Sequence, residues 1–343
     1  MKKRYGYKWL ATLSVCGFFM FCTACGGGGT STAVDDDNDG TDPTDLDYRA
    51  LMRTFVQDLS AYAKGLDSNF IIIPQNGHQL LTTDGEVGGA VDEDYVSAID
   101  GVGREDLFYG YDNDNQPTSA VDRDDMLSFM DLAEENEVEV LVIDYCSTES
   151  YMDDSYEENH YRGYVSFAAD HRDLDNIPDY PATPYGENAE DITTLAEARN
   201  FLYLINPDQY ATKDDFIAGV VATNYDVLIT DFFFQGEEEF TADDVTALKA
   251  KANGGERLVI SYMSIGEAED YRYYWQGDWT VGSPDWLDAE NPDWEGNYKV
   301  RYWDEDWQDI IFGNNESYLH KIVSAGFDGV YLDIIDAFEY FEE

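Results

Sequence analysis

Short apolar runs alternate with amphipathic segments along most of the chain after residue 47. Runs rich in β-branched and aromatic residues, bounded by turn residues, are typical of buried strands. We predict eight strands, at residues 70–76, 96–99, 138–145, 164–169, 201–205, 225–233, 257–263 and 330–334. Apolar positions at helical spacing predict helices at residues 51–64, 124–136, 193–199, 242–252 and 318–325.

The order of these elements predicts the fold class. Alternating strands and helices favour a parallel sheet, and strands that are apolar on both faces fit a sheet covered by helices. Eight such units within residues 48–343 fit a single α/β domain of the (β/α)₈ TIM-barrel type better than an open doubly wound sheet. The chain has no GxGxxG motif after its first strand and no phosphate-binding loop, so we expect no nucleotide cofactor.

The last predicted strand carries an acid. Side chains alternate faces along a strand, so Val330, Leu332 and Ile334 share one face while Tyr331 and Asp333 share the other. A carboxylate in an apolar strand is costly to bury unless it has a use. In a closed barrel this eighth strand pairs with the first. Only the first strand would then separate Asp333 from Glu105, an acid that follows the second predicted strand.

Acids recur where predicted strands end, which is the active-site edge of such barrels. They are Glu105, Asp144, Asp170, Asp231, Glu267, Glu269, Asp333 and Asp336. The connection after the seventh strand, residues 277–315, is a long Trp-rich loop, and six of the seven tryptophans lie between residues 275 and 307. Its aromatic rings either form a small core of their own or provide a platform for sugar rings. Acids beside an aromatic loop indicate glycoside chemistry, which needs one protonated and one ionised carboxyl.

Composition excludes several other functions. The formal net charge of −52 indicates either a solvated acidic surface or attraction of a cationic ligand, and it argues against nucleic acid as a partner. The four histidines are scattered, and cleavage before Cys25 would leave only Cys25 and Cys146 as cysteines, so we expect no metal site. Cys146 has no histidine nearby in sequence and no GxSxG motif is present, which disfavours a serine or cysteine hydrolase.

The first 24 residues have the pattern of an export signal. Basic residues precede an apolar run at residues 9–21 that is too short to span a membrane. We predict a lipoprotein signal peptide at residues 1–24 with lipidation of Cys25, and ordinary signal cleavage is the alternative. A Gly/Asp-rich flexible linker at residues 25–47 would precede the domain at residues 48–343. The protein would then be exported and anchored to the cell envelope through Cys25.

Several long motifs resemble the bacterial branch of glycoside hydrolase family 114-like proteins. They are ISYMSIGEAEDYR at residues 260–272, WEGNYKV at 294–300, WD at 303–304, residues 326–338 and DGVGREDLFYG at 100–110. The family includes endo-α-1,4-polygalactosaminidases and has a (β/α)₈ barrel. The resemblance implies that Asp333 is the nucleophile and Glu105 the acid/base, with the two roles exchangeable and retention favoured. It also implies that Asp231, Glu267, Glu269 and Arg272 shape the adjacent subsite. We further predict substrate contacts from Tyr262, Tyr331, Asp336, Asp144 and Trp303.

The order of the motifs departs from the family pattern. The QNG and DGVGRED segments come first in this chain and the DGVYLD strand comes last, which indicates a circular permutation. A closed barrel tolerates such a change when the termini lie in surface connections. The expected function is an anchored, endo-acting hydrolase of an α-1,4-linked, galactosamine-rich exopolysaccharide. The alternatives are a non-catalytic carbohydrate-binding lipoprotein and a glycosidase of different specificity on the same acids.

Overall fold

The computed structural model describes residues 46–342. The predicted signal peptide, the lipidation site at Cys25 and the linker up to residue 45 lie outside the described residues. Between residues 46 and 342, none of the helices combines the length and the apolar character that crossing a membrane requires.

Strands and helices alternate through the described residues. The parallel strands are β1 (Ile71–Pro74), β2 (Gly101–Glu105), β3 (Glu139–Tyr145), β4 (Val165–Ala169), β5 (Phe201–Tyr203), β6 (Val227–Asp231), β9 (Leu258–Ser264) and β13 (Gly329–Asp333). Shorter antiparallel strands are β7 (Phe233–Phe234), β8 (Glu238–Glu239), β10 (Glu267–Glu269), β11 (Leu287–Glu290) and β12 (Asn297–Val300). The α-helices are α1 (Tyr48–Leu66), α2 (Glu93–Ala98), α3 (Ala120–Glu135), α4 (Glu149–Arg162), α5 (Lys213–Val221), α6 (Ala242–Leu248), α7 (Glu305–Ile311), α8 (Tyr318–Ser324) and α9 (Ala337–Glu342).

The fold is mixed α/β with a parallel central sheet in two parts. One part has the strand order β1-β13-β9-β6-β5 and the other has the order β2-β3-β4. Single parallel bridges link the facing edges of the two parts, from Gln75 to Gly103 and from Ser166 to Asn200. The carboxyl ends of all eight parallel strands therefore point the same way.

The first and last parallel strands are neighbours, as the sequence predicts. β1 pairs with β13 in parallel register from Ile71 opposite Gly329 to Pro74 opposite Leu332. This pairing places the residue after β1, the end of β2 and the end of β13 at one edge of the sheet. The predicted proximity of Asp333 and Glu105 depends on it.

The predicted second strand, residues 96–99, is wrong. Those residues end or follow α2, whose first turn is capped by the Asp92 side chain, and the strand begins at Gly101 instead. Glycine disfavours a strand, which hides β2 from a pattern of β-branched residues. The structure needs glycine at Gly103, because a Cβ there would lie 2.0 Å from the hydroxyl oxygen of Tyr331.

The connection after β9 contains regular structure. β10, β12 and β11 form an antiparallel sheet, and α7 follows them. Trp286 and Trp307 are buried, with ring centroids 5.0 Å apart, and Trp279 packs 4.9 Å from Trp286. These tryptophans belong to a local aromatic core that stabilises the segment, whereas Trp275, Trp294 and Trp303 are only partly buried.

Candidate active site

A cavity opens at the carboxyl ends of the parallel strands. Glu105 is the last residue of β2, Tyr145 the last of β3 and Asp333 the last of β13. The side chains that line the cavity are Gln75, Asn76, Glu105, Tyr145, Arg172, Leu174, Tyr203, Ile205, Tyr262, Glu267, Trp294, Asn297, Asp333, Ile334 and Asp336. The strand ends thus bring together two acids that are far apart in the sequence.

Two hydrogen-bond donors hold Glu105. The Tyr145 hydroxyl donates to Oε1 at 2.6 Å and the Asn76 amide donates to Oε2 at 3.0 Å. Asn76 has a φ of 60°, a left-handed conformation that asparagine tolerates better than most residues. Donors on both oxygens fix the orientation of the carboxyl group and stabilise a negative charge on it.

Asp333 lies in a different electrostatic environment. The Tyr262 hydroxyl donates to Oδ2 at 2.7 Å, and the backbone N–H of Ile334 donates to Oδ1 at 2.8 Å. These donors favour the charged carboxylate, but burial and then the charge of Glu105 outweigh them and raise the pKa of Asp333 to about 7. Near neutral pH the Asp333 carboxyl group is therefore present in both its protonated and its ionised form.

Two further acids line the same cavity. Burial and the charge of Glu339 raise the pKa of Asp336 to about 6, although Lys299 opposes the rise. Glu267 is fully buried and is neutralised by Lys299, whose Nζ lies 2.6 Å from its Oε1, and it also accepts a hydrogen bond from Asn297. Asp336 is thus a candidate ligand-binding acid, whereas Glu267 holds the antiparallel sheet against the cavity.

Asp231, Glu269 and Arg272 form a buried ion cluster that does not line this cavity. Arg272 Nη1 lies 2.7 Å from Asp231 Oδ2, and its Nε lies 2.5 Å from Glu269 Oε2. The Tyr271 hydroxyl also donates to Glu269. These predicted substrate-binding residues therefore satisfy one another, and their visible role is to tie the end of β6 to the turn after β10.

Asp144 lies on the opposite face of β3 from the cavity. It is fully buried and accepts hydrogen bonds from the backbone of Phe108 and Tyr109 and from the Ser155 hydroxyl. Tyr145, the next residue, faces the cavity, so strand alternation turns Asp144 toward α4. Asp144 therefore does not line the cavity, because an acid near a strand end reaches it only on the inward face.

Trp303 and Tyr331 also lie off the cavity wall. The ring of Trp303 packs 5.1 Å from that of Tyr48, on the first helix. Tyr331 is fully buried in the sheet interior, with its ring centroid 5.2 Å from that of Tyr203. The tryptophan that does line the cavity is Trp294.

The sequence analysis did not predict Asn76, Tyr145 and Arg172 as site residues, because its argument from strand ends was applied only to acids. Asn76 follows β1 and Tyr145 ends β3, so the same positional argument applied to neutral polar residues would have found both. Within residues 46–342, no group of three or more His, Cys, Asp or Glu side chains converges as a set of metal ligands.

The match to a known protein family covers the second half of the chain. Residues 186–343 match the model of the glycoside-hydrolase family GH114. This segment contains Tyr262, Asp333 and Asp336, whereas Glu105 and Tyr145 lie before it.

Three proteins of unassigned function resemble part of the chain. A Methanocaldococcus jannaschii protein is 41% identical over 46% of this chain and 43% of its own length. A Thermotoga maritima protein is 36% identical over 36% of each chain, and a Deinococcus radiodurans protein is 42% identical over 34% of each. The chain therefore spans less than half the length of each of these relatives.

Proposed function

We propose, from the premise that residues 186–343 make this chain a glycoside hydrolase family 114-like protein, that it cleaves a polysaccharide with Asp333 and Glu105. One observation carries the proposal. Two carboxyl groups from β13 and β2 line one cavity at the carboxyl ends of the strands, and burial together with the charge of Glu105 raises the pKa of Asp333 to about 7. Glycoside hydrolysis needs such a pair.

The environments of the two acids favour exchanging the roles suggested by the family resemblance. Asp333, with a pKa raised to about 7, suits the general acid that protonates the leaving glycosidic oxygen. Glu105, with donors on both oxygens, suits the nucleophile that attacks the anomeric carbon. In a retaining reaction, Asp333 would then take a proton from water as that water releases the sugar from Glu105.

The acidity of the cavity supports a cationic substrate. Glu105, Asp333 and Asp336 all line it, and among residues 46–342 none of the three lies in an ion pair with a lysine or arginine. Trp294 adds an aromatic face of the kind that packs against sugar C–H groups. We therefore retain an α-1,4-linked, galactosamine-rich polymer cleaved internally as the proposed substrate, and the net charge of −52 agrees with it.

We also propose that the domain is a closed (β/α)₈ barrel with circularly permuted order. The bridges from Gln75 to Gly103 and from Ser166 to Asn200 support closure, since each joins edges of the two sheet parts. The proposed setting is the cell envelope, with a lipid on Cys25 as the membrane anchor. The proposed binding partner of the protein is the polysaccharide, and we do not expect it to bind nucleic acid.

The test compares the parent with Glu105→Gln and Asp333→Asn on α-1,4-linked galactosamine polymers of graded N-acetylation. New reducing ends measure cleavage, and Glu158→Gln on exposed α4 is the charge-matched control. We expect each site variant to lose activity by about 10²- to 10⁴-fold and the control to keep it. Retained cleavage in both site variants would end the assignment. Binding of polymer by a parent that cleaves none would establish the non-catalytic alternative.

Azide rescue distinguishes the two roles. If Glu105 is the nucleophile, Glu105→Ala with azide gives a glycosyl azide of inverted configuration. Asp333→Ala with azide gives one of retained configuration. The opposite pair of products would restore the roles implied by the resemblance.

A further inference from the structure

We propose that Arg172 is a positioning residue for Glu105, acting through Tyr145 and through the backbone that follows Glu105. This inference rests on the proposed function, because it assigns Glu105 a catalytic role. Arg172 lies three residues beyond β4 and before the family match, and its side chain is only 11% exposed at the cavity wall.

The first connection is a stack. The guanidinium carbon of Arg172 lies 4.0 Å from the centroid of the Tyr145 ring, and the hydroxyl of that ring donates to Glu105 at 2.6 Å. A planar guanidinium over an aromatic face restricts the plane of the ring and is attracted to it. Arg172 therefore controls the direction from which Tyr145 approaches the carboxyl group.

The second connection runs through the main chain. Asp106 follows Glu105 directly and has a φ of 61°, a strained left-handed conformation that surrounding contacts must hold. Arg172 Nη2 donates to Asp106 Oδ1 and, at 2.8 Å, to the carbonyl of Gly110. One guanidinium thus holds the turn that sets where β2 ends.

Arg172 is itself held in place. Its Nε donates to Asp114. The preceding residue, His171, lies between two carboxylates, with Nδ1 2.8 Å from Asp170 and Nε2 2.6 Å from Asp175. The guanidinium is therefore a fixed positive charge near Glu105, which favours the negative charge that a nucleophile needs.

The test separates charge from position. In Arg172→Gln we expect kcat to fall about 10- to 100-fold, as for supporting residues of active sites, with KM nearly unchanged. The acid limb of the pH profile should move to higher pH, since a positive charge near Glu105 has been removed. Arg172→Lys should restore the acid limb but not kcat, because an ammonium cannot stack and bridge as a guanidinium does. The control is Arg162→Gln, which breaks an ion pair with Asp131 and should change neither kcat nor the acid limb of the pH profile.

A double-mutant cycle tests the route. If Arg172 acts through Tyr145, then Arg172→Gln combined with Tyr145→Phe loses little more than the worse single variant. Additive losses together with an unmoved acid limb would overturn the inference.

Failure of the proposed function can be distinguished from failure of the positioning role of Arg172. If the parent cleaves no polymer, that function fails, and a crystal structure of Arg172→Gln then decides the inference. The hydrogen bond from Tyr145 to Glu105 should be broken, and an intact one would refute the positioning role.

Discussion

Removing the Tyr262 hydroxyl should change the pH dependence of cleavage in a direction that identifies the acid. In the parent, Tyr262 donates to Asp333 at 2.7 Å and holds down a pKa that burial and Glu105 have raised to about 7. Tyr262→Phe deletes that donor and nothing else of comparable size. The pKa of Asp333 must therefore rise further, because its carboxylate has lost a stabilising partner.

The size of this change follows from the strength of the bond. A hydrogen bond to a charged acceptor contributes about 1.5–3 kcal/mol, and one pKa unit corresponds to about 1.4 kcal/mol. The full effect would be about one to two units. Asp333 also keeps its bond from the Ile334 N–H, and the cavity admits water, so we expect about one unit.

The assay is kcat/KM for polymer cleavage between about pH 4 and 9, since its limbs report the groups of the free enzyme. If Asp333 is the general acid, the alkaline limb moves from about pH 7 to about 8. If Asp333 is the nucleophile, the acid limb moves upward instead, and our role assignment is refuted. Tyr109→Phe is the matched control, because it removes a 2.7 Å bond from a tyrosine to Asp154 outside the cavity.

Three stability measurements probe the surroundings of the site. Because the folded pKa of Asp333 is raised from 3.8 to about 7, its stabilising contribution is complete below about pH 4 and is lost as pH rises through about 7. Asp333→Asn should therefore match the parent in urea unfolding at pH 3 and exceed it by about 2–4 kcal/mol at pH 8, whereas a constant difference would contradict this. Gly103→Ala should lower the free energy of unfolding by about 1–3 kcal/mol, because its Cβ would meet Tyr331, and an unchanged urea midpoint would show that the sheet interior has room. Lys251→Met should cost about 3–5 kcal/mol, because it leaves fully buried Asp226 without its 2.9 Å partner, and calorimetry that finds no lowered Tm would contradict this.

The strand pattern was readable from the sequence where side chains themselves favour a strand. The apolar runs that become β1, β3 and β13 are dense in Ile, Val and Leu, so local preference and tertiary burial agree. β2 was missed because its sequence, Gly-Val-Gly-Arg-Glu, contains two glycines, which do not favour a strand. Close packing of another strand against β2 requires one of them. Gly103 is glycine because of Tyr331, more than two hundred positions away, and no local rule contains that information.

The site was predictable in outline for a related reason. Strand order alone brings Glu105 and Asp333 together, because parallel strands end at one edge. Which neighbouring acids are already neutralised depends on distant partners. Arg272 is 41 positions from Asp231, and their pairing becomes visible only in three dimensions. The inward or outward direction of Asp144 depends on the register of β3, and a shift of one residue reverses it.

The neighbouring positions of β1 and β13 have a consequence for how the domain folds. Ile71 and Gly329 lie opposite each other across more than two hundred positions, whereas Gly101 and Glu139 on β2 and β3 are close in sequence. Closing a long loop costs more entropy than closing a short one, and non-local pairings slow folding. The β2-β3-β4 unit can therefore form early, whereas the pairing of β1 with β13 can form only after most of the chain has been ordered. Glu105 and Asp333 lie on strands of different folding units, so the proposed active site should be among the last parts of the protein to form as it folds.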